Sequence, residues 1–595
     1  MGADDLTQYI KQAFKYKSEG SYKEAIDYFY KALAIDNDSC EVMSELAYLY
    51  SKLCQNDRAV SFYEQILLKH PDDYENRYFL AMLYKKLLNY DKAIEQFTII
   101  FNSNSELIKV TEELFELLYK KSNYEKIIEL YNSKANALNS SKIYYYVGLA
   151  YSQTDRENIA KEFYKKSFEA DENNVDAGSK VAEILFYNAE YEKAEGLLLN
   201  LLKHSENDRI FYLLAEINYI KCKYDDAIKY YMLAVKLNDK NGEYFYKLGV
   251  TFAIKGFMSE AEENYSRAVT LDHENLLYNY TLAYLYYINE KYSLSKRIVD
   301  YILSINNEYV SALALNLLIL IKENDISAAA KTVEKISKNI DKSDFAYYAI
   351  ALYYSKLNMW NKAIDNIKLA ISKNNQSYEY NYELARYYFE IGDYKNSEDI
   401  CIKIIKINDK YINAYILLSR IYLENKEYEK AELNIDISLK LDMNVAEIYY
   451  LKGKISEAKN DIDKAIKNYK TALSINPNNV EYYECVAKLY YKIEEYEPAY
   501  SYYKEAADID VSNSEYRYYM AKCCEKIKDN EAAIVNYSLA KRLSPLNIEY
   551  LEDYARFLVL VQKKKSAVDL IRTSMKLFPK DGKERLKKII ADIKK

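Results

Sequence analysis

One small-residue slot recurs along this chain at a nearly constant interval and limits what the chain can fold into. The slot usually closes the string Tyr-x-x-Ala, and neighbouring slots lie 34 residues apart, except for two steps of 33 that end at Ala160 and Ala227. A period of this length is typical of stacked-repeat architectures. The seventeen slots are Ala25, Ala59, Ala93, Ile127, Ala160, Ala194, Ala227, Ala261, Ser295, Ala329, Ala363, Ser397, Ala431, Ala465, Ala499, Ala533 and Ala567. Because the repeats use nearly all of the 595 residues, we expect one elongated array with little room for a catalytic domain.

The repeat at residues 480–513 shows how one unit is built. Its first half and its second half each carry apolar or aromatic residues three or four apart, which predicts two amphipathic helices. These residues are Tyr483, Val486, Ala487 and Tyr490, then Tyr496, Ala499, Tyr503 and Ala506. Two helices of about a dozen residues joined by a short turn form an antiparallel hairpin.

The repeats resemble the tetratricopeptide repeat. That family places a small residue at place eight of the repeat, an aromatic at eleven, alanines at twenty and twenty-seven, and often proline at thirty-two. The matching residues include Ala47, Tyr50, Ala59 and Pro71; Gly453, Ala465, Ala472 and Pro477; and Ala521, Ala533, Ala540 and Pro545. The resemblance covers Leu6 to about Pro579. It implies an all-α fold, a right-handed α-solenoid superhelix of about seventeen antiparallel helix pairs.

The period also sets the predicted boundaries. The predicted array covers residues 6–579, with repeats that begin at residues 6, 40, 74, 108, 141, 175, 208, 242, 276, 310, 344, 378, 412, 446, 480, 514 and 548. Residues 580–595 predict a basic C-terminal capping helix, since Leu586, Ile589, Ile590 and Ile593 share one face. The fourth repeat departs from the pattern, with Phe115 and Ile127 where small residues belong, and it either bends the array or repacks.

Charge argues against one class of partner. The formal net charge is −7 and acids and bases are interspersed, whereas sequence-independent nucleic-acid binding needs a cationic surplus. The exception is a C-terminal cluster of Lys563, Lys564, Lys565, Lys576, Lys580, Lys583, Arg585, Lys587, Lys588, Lys594 and Lys595. We interpret this cluster as a solvated end cap; the alternative is a docking site for an acidic partner or an anionic membrane.

Several features predict a cytoplasmic protein without a transmembrane segment. The seven cysteines are odd in number and have no metal-ligand or disulfide spacing. The first residues are acidic and polar, unlike a signal peptide. The longest apolar run, residues 312–321, is too short to span a bilayer.

A search for catalytic chemistry gives negative results. The three histidines, His70, His204 and His273, lie in distant repeats and cannot converge on one metal or substrate. No glycine-rich phosphate loop and no zinc-ligand pair is present. We therefore predict that the chain is not an enzyme and has no catalytic residues, no metal site and no cofactor.

The candidate binding site lies on the first helices, which line the concave wall in the family. Places two, five, nine and twelve share one face of such a helix. Place nine of the last six repeats is always cationic: Arg386, Arg420, Lys454, Lys488, Lys522 and Arg556. Place five adds Tyr382, Tyr450 and Tyr518. In the repeats before these, place nine includes Glu183 and Glu216, so the wall is predicted to have two differently charged halves. A cationic ladder beside aromatic rings suits an extended acidic segment; alternatively, each cation pairs with a nearby glutamate and only solubilises the surface.

The sequence leaves three functions open. The first is a protein–protein interaction scaffold that binds peptide segments or protein partners on its concave surface. The second is a single-stranded nucleic-acid binder using residues 380–556, which the overall acidity disfavours. The third is a purely structural spacer. Two family sub-patterns are absent, the carboxylate clamp for chaperone tails and the asparagine ladder at place six, and the oligomeric state is left open.

Overall fold

The computed structural model describes residues 3–104, 106–338 and 343–594, and all its regular elements within these ranges are helical. Lys595 and the side chain of Lys594, both part of the predicted basic cluster, lie outside what is described. Packing divides the chain into two units, Met1–Leu285 and Tyr286–Lys595.

In the N-terminal unit, long helices alternate as first and second members of hairpins. The first helices are α1 (Ala3–Ser18), α3 (Cys40–Lys52), α5 (Tyr74–Lys86), α7 (Leu107–Lys120), α9 (Ser141–Ser152), α11 (Val175–Tyr187), α13 (Asp208–Ile220) and α15 (Gly242–Ile254). The second helices are α2 (Tyr22–Ile35), α4 (Asn56–Lys69), α6 (Tyr90–Ser103), α8 (Tyr124–Lys134), α10 (Glu157–Ala170), α12 (Tyr191–Leu201), α14 (Tyr224–Leu237) and α16 (Met258–Leu271). Helix α17 (Leu276–Ile288) contains the boundary between the units.

The C-terminal unit follows the same scheme. Its first helices are α19 (Val310–Lys322), α21 (Asp344–Lys356), α23 (Tyr378–Glu390), α25 (Ile412–Glu424), α27 (Ala446–Ala458), α29 (Val480–Lys492), α31 (Ser514–Lys526) and α33 (Ile548–Leu560). Its second helices are α18 (Tyr292–Ile305), α20 (Ile326–Ser337), α22 (Trp360–Lys373), α24 (Tyr394–Ile407), α26 (Tyr428–Leu441), α28 (Ile462–Ile475), α30 (Tyr496–Ile509), α32 (Asn530–Leu543) and α34 (Lys564–Met575), and α35 (Lys580–Lys594) follows. Within each unit, hairpin partners pack together, as α27 does on α28, and successive hairpins pack on one another, as α28 does on α29. The predicted all-α helical-repeat solenoid is confirmed.

The core explains why the small-residue slot recurs. All seventeen slot residues are completely buried, including Ile127, Ser295 and Ser397. Small side chains here allow close approach between helices, and tyrosines of the second helices fill the space around them. Gly453, for example, lies so close to the ring of Tyr469 that an added Cβ would be 2.4 Å from it.

Local signals fix where the helices begin and turn. Many first helices start after Asn, Asp or Ser, and the Asn174 side chain accepts a hydrogen bond from the Ala177 amide at 3.1 Å. Such a cap satisfies one of the amides that a helix leaves unpaired at its start. Place fifteen, in the turn between the two helices, has positive φ in all seventeen repeats, yet only Gly20, Gly256 and Gly392 are glycine there.

The fourth repeat repacks its core around larger side chains. Phe115 and Ile127 are both fully buried. Helix α8 ends at Lys134, a single 3₁₀ turn covers Ala135–Ala137, and Leu138 is buried after it. The shorter second helix therefore accommodates the larger residues.

Helix α35 packs against the last hairpin. Leu586 is fully buried, and the isoleucines of the same face, Ile589, Ile590 and Ile593, pack against the core of α33 and α34. Arg585 Nε lies 2.5 Å from the buried Glu552 carboxylate on α33. This ion pair fixes the cap on the last hairpin.

Candidate functional site

The predicted cationic ladder lies on six successive first helices of the C-terminal unit. Arg386 is on α23 and Arg420 on α25; Lys454, Lys488, Lys522 and Arg556 follow on α27, α29, α31 and α33. Since residues four apart share a helix face, each place-nine cation projects on the same side as the place-five residue of its helix. We call this side of α23 to α33 the first-helix face.

A cavity of about 400 Å³ opens on the first-helix face. Four consecutive first helices, α23, α25, α27 and α29, supply its lining: Phe389, Arg420, Leu423, Glu424, Tyr450, Leu451, Lys454 and Glu481. The structure thus brings three of the nine candidate residues, Arg420, Tyr450 and Lys454, to one cavity. Its wall combines apolar surface with two cations and two carboxylates, Glu424 and Glu481, and such a mixture of apolar and polar groups is typical of a ligand site.

The two cations of this cavity differ in how they are held. Arg420 Nη2 lies 2.5 Å from Glu447 Oε1 on α27, so its charge is balanced within the chain. Lys454 makes no ion pair with any described residue, and its ammonium lies 5.3 Å from the centroid of the Tyr450 ring. That distance is within the range of a cation–π interaction, which leaves the ammonium free to accept an anionic partner.

Tyr450 itself is held in place. Its hydroxyl donates a hydrogen bond to the Glu481 carboxylate on α29, and burial together with this bond raises the pKa of Tyr450 above its usual range. The hydroxyl is therefore a neutral donor committed to Glu481.

Intrachain carboxylates balance the other four cations of the ladder. Arg386 pairs with Glu383 at 2.5 Å, and Lys488 pairs with Glu484. Lys522 and Arg556 share Asp553, at 2.7 Å and 3.7 Å. At these positions the first-helix face matches the alternative interpretation, in which cations pair with their neighbours.

The Asp553 carboxylate is a second point where candidate residues meet. Tyr518 donates its hydroxyl to Asp553 Oδ2 at 2.5 Å, beside the ammonium of Lys522. Burial opposes ionisation of Asp553, but hydrogen bonds from Lys522 and Tyr518 lower its pKa below the ordinary value. Three candidates, Tyr518, Lys522 and Arg556, are thus committed to one carboxylate.

Two of the three candidate place-five tyrosines pack between repeats. Tyr450 stacks on Tyr482 with ring centroids 5.2 Å apart, and Tyr518 stacks on Tyr550 at 4.4 Å. Tyr382 instead contacts the Tyr411 ring edge-on at 5.6 Å. Sequence reasoning missed Tyr482 and Tyr550; the signal was available, because each is a tyrosine at place three, 32 residues after its partner.

In the N-terminal unit, the place-nine glutamates are balanced as well. Glu183 pairs with Lys180 at 3.0 Å and with Arg209 at 2.6 Å. Glu216 pairs with Lys247 at 2.9 Å. The contrast in charge between the two predicted halves is therefore weaker than the residue types indicate.

Other kinds of site were sought in the described parts of the chain. Those parts contain no group of three or more histidine, cysteine or acidic side chains arranged to hold a metal ion. They also contain no helix with the length and apolar character needed to cross a membrane.

The fold and the first-helix face define a class, the helical-repeat solenoid. Family models described as tetratricopeptide repeat match residues 17–75, 141–174 and 208–241, and one described as TPR repeat matches residues 453–494. The chain therefore carries tetratricopeptide repeats in these segments. This family is generally a non-catalytic scaffold fold that supports protein interaction.

Solved structures similar to this chain are other helical-repeat proteins. The crystal structure described as the APC/C hetero-tetramer Cut9-Hcn1 is 15% identical, with a TM-score of 0.39, and the match covers 93% of this chain and 96% of that one. The structure of Naa15/Naa10 bound to HypK-THB is 12% identical, with a TM-score of 0.35 and 99% coverage of both chains. Pseudomonas aeruginosa PilF is 21% identical, with a TM-score of 0.32, over 36% of this chain and 98% of PilF. No curated protein matches the sequence.

Proposed function

We propose that this chain is a non-catalytic, cytoplasmic scaffold that binds an extended segment of a partner protein on the first-helix face of its C-terminal unit. The observation that carries the proposal is the cavity between α25 and α27, where Lys454 is a cation without a carboxylate partner among the described residues. The seven cysteines form no disulfide, which supports a reducing compartment such as the cytoplasm.

The cavity also indicates which segment it suits. An acidic side chain of the partner would reach Lys454, and an apolar neighbour would contact Phe389, Leu423 or Leu451. Elsewhere on the first-helix face the cations are already balanced, so added acidic residues would have to displace Glu383, Glu484 or Asp553. The proposed ligand is therefore an extended segment with one well-placed acidic residue rather than a long polyanion.

Charge reversal at one position tests this proposal. Tagged wild-type chain and Lys454→Glu are used as baits, and the captured proteins are quantified by mass spectrometry. The matched control is Lys467→Glu, which reverses an exposed lysine on α28 of the same repeat. We expect the Lys454→Glu bait to capture at least about tenfold less partner than the wild type, equivalent to about 1.4 kcal/mol of binding free energy. The control bait should capture as much as the wild type.

Two outcomes would count against the proposal. Equal capture by all three baits would favour a structural spacer. Low-salt binding of a single-stranded oligonucleotide that Lys454→Glu abolishes would favour the nucleic-acid alternative.

A further inference from the structure

A second charged surface lies on the last two helices, α34 and α35, and their connection. It consists of lysines at the start of α34, in the connection to α35 and on α35 itself: Lys563, Lys564, Lys565, Lys576, Lys580, Lys583, Lys587 and Lys588. We call these eight residues the lysine cap. Seven are exposed and Lys583 is partly exposed. Residues 563–595 carry twelve basic and four acidic side chains, in a chain whose net charge is −7.

The lysine cap lacks the pairing found on the first-helix face. None of the eight lysines forms an ion pair with a described carboxylate; Arg585 of α35, by contrast, pairs with Glu552. Three of them, Lys563, Lys564 and Lys565, lie at the start of α34, where the helix dipole is already positive. This placement is unfavourable for helix stability, so folding alone does not account for it.

The shape of the lysine cap indicates the kind of partner. Its cations lie at both ends of α34, whose 12 residues span about 18 Å, rather than along one groove. A planar surface of negative charge can contact both ends at once. Leu577, which is 54% exposed, lies between Lys576 and Lys580 and would enter the boundary between headgroups and acyl chains.

We propose that the lysine cap docks on an anionic phospholipid surface and so anchors the scaffold by one end. The apolar face of α35 is already packed on α33 and α34, so the helix stays folded on the array. Attachment is then mainly electrostatic, as for other polybasic segments, and weakens with salt.

Vesicle co-sedimentation of the full-length chain tests the proposal. Vesicles of phosphatidylcholine alone are compared with vesicles that contain about one-third phosphatidylserine, at about 0.1 M and about 0.5 M salt. The charge-reversal variant carries Lys564→Glu, Lys565→Glu, Lys587→Glu and Lys588→Glu. The matched control reverses four exposed lysines of the N-terminal unit that have no ion pair with a described residue: Lys165→Glu, Lys203→Glu, Lys236→Glu and Lys240→Glu.

We expect binding to the phosphatidylserine vesicles only, lost at the higher salt. The lysine-cap variant should partition at least about 100-fold less well, and the control, with the same net charge, should bind like the wild type. Far-UV circular dichroism should show both variants folded, since an acidic residue near the start of α34 favours the helix.

Three results would overturn the proposal. One is equal binding of the wild type to both kinds of vesicle, a comparison that needs no variant. Another is that the control variant loses as much vesicle binding as the lysine-cap variant, which would make net charge alone responsible. The third is binding to polyglutamate without binding to phosphatidylserine vesicles, which would assign the lysine cap to an acidic polypeptide.

Discussion

The Tyr518 ring stacks on the Tyr550 ring of the next repeat, with centroids 4.4 Å apart and planes inclined by 19°. The same place-five to place-three stack, 32 residues apart, joins Tyr212 to Tyr244, Tyr246 to Tyr278, Tyr348 to Tyr380 and Tyr450 to Tyr482. Offset stacking adds to the stabilisation that burial provides. These five place-five tyrosines thus link successive repeats, and this packing role accounts for a tyrosine at these positions without a ligand.

Two substitutions of Tyr518 distinguish the contribution of the ring stack from that of the hydroxyl group. Tyr518→Phe keeps the stack and loses the hydrogen bond to Asp553, whereas Tyr518→Leu loses both. We expect the leucine variant to be less stable than the phenylalanine variant by about 0.5–1.5 kcal/mol, measured by urea unfolding. Equal stability of the two variants would show that the stack contributes nothing.

Gly453 is a site where one methyl group should be costly. Its added Cβ would meet three atoms of the Tyr469 ring within 3.0 Å, and that ring is fully buried. We expect Gly453→Ala to destabilise the chain by about 1–3 kcal/mol in urea unfolding. Gly196→Ala is the control, because nothing lies within 4 Å of its Cβ; there the higher helix propensity of alanine should be neutral or stabilising by up to about 1 kcal/mol. A larger loss of stability in Gly196→Ala than in Gly453→Ala would contradict the observed packing.

The left-handed turn at place fifteen predicts a stabilising change. Leu88 has φ of 59° and is 71% exposed, so its side chain gains little from packing and strains the turn. We expect Leu88→Gly to raise stability by about 0.5–1 kcal/mol, measured as the unfolding temperature. Gly392→Ala, at the same place with φ of 79°, should have the opposite effect. A destabilised Leu88→Gly variant would mean that the leucine makes contacts that outweigh the strain.

Glu116 predicts a pH dependence in the N-terminal unit. Burial alone would raise its pKa, but hydrogen bonds from Lys120 and Lys85 lower the pKa from 4.5 to about 2. The pKa of Glu116 is lower in the folded state than in the unfolded state, so the ionised carboxylate stabilises the fold. This stabilisation is complete above about pH 4.5 and is lost as the pH falls towards 2. Because the lysine partners are partly exposed and screened by water, we expect Glu116 to contribute about 1–2 kcal/mol to the free energy of unfolding.

The measurement is urea unfolding of the wild type and of Glu116→Gln. The wild type should be more stable near neutral pH, and the difference should shrink steadily below about pH 4.5. Glu125→Gln, at an exposed glutamate, is the control. A difference that does not change with pH would show that Glu116 acts through packing and not through its charge.

Much of this fold could be predicted from the period, because the pattern of small and aromatic residues recurs in each repeat. The slot residues are buried, and Leu586 lies on the buried face of α35. Pairings between repeats could not be predicted, because they depend on how each hairpin rotates against the next. Glu447 could pair within its own helix or reach back to Arg420, and the sequence does not distinguish these. The turn at place fifteen was also missed, since residues as different as Leu88 and Glu494 occupy it.

The central claim is that a partner segment contacts Lys454, and lysine footprinting tests it most directly. The wild-type chain is acetylated with a limiting reagent, alone and with the partner captured in the bait experiment, and the modification of each lysine is followed by mass spectrometry. We expect the partner to slow acetylation of Lys454 several-fold and to leave Lys467 on α28 unchanged. Unchanged acetylation of Lys454 in the complex would contradict the claim.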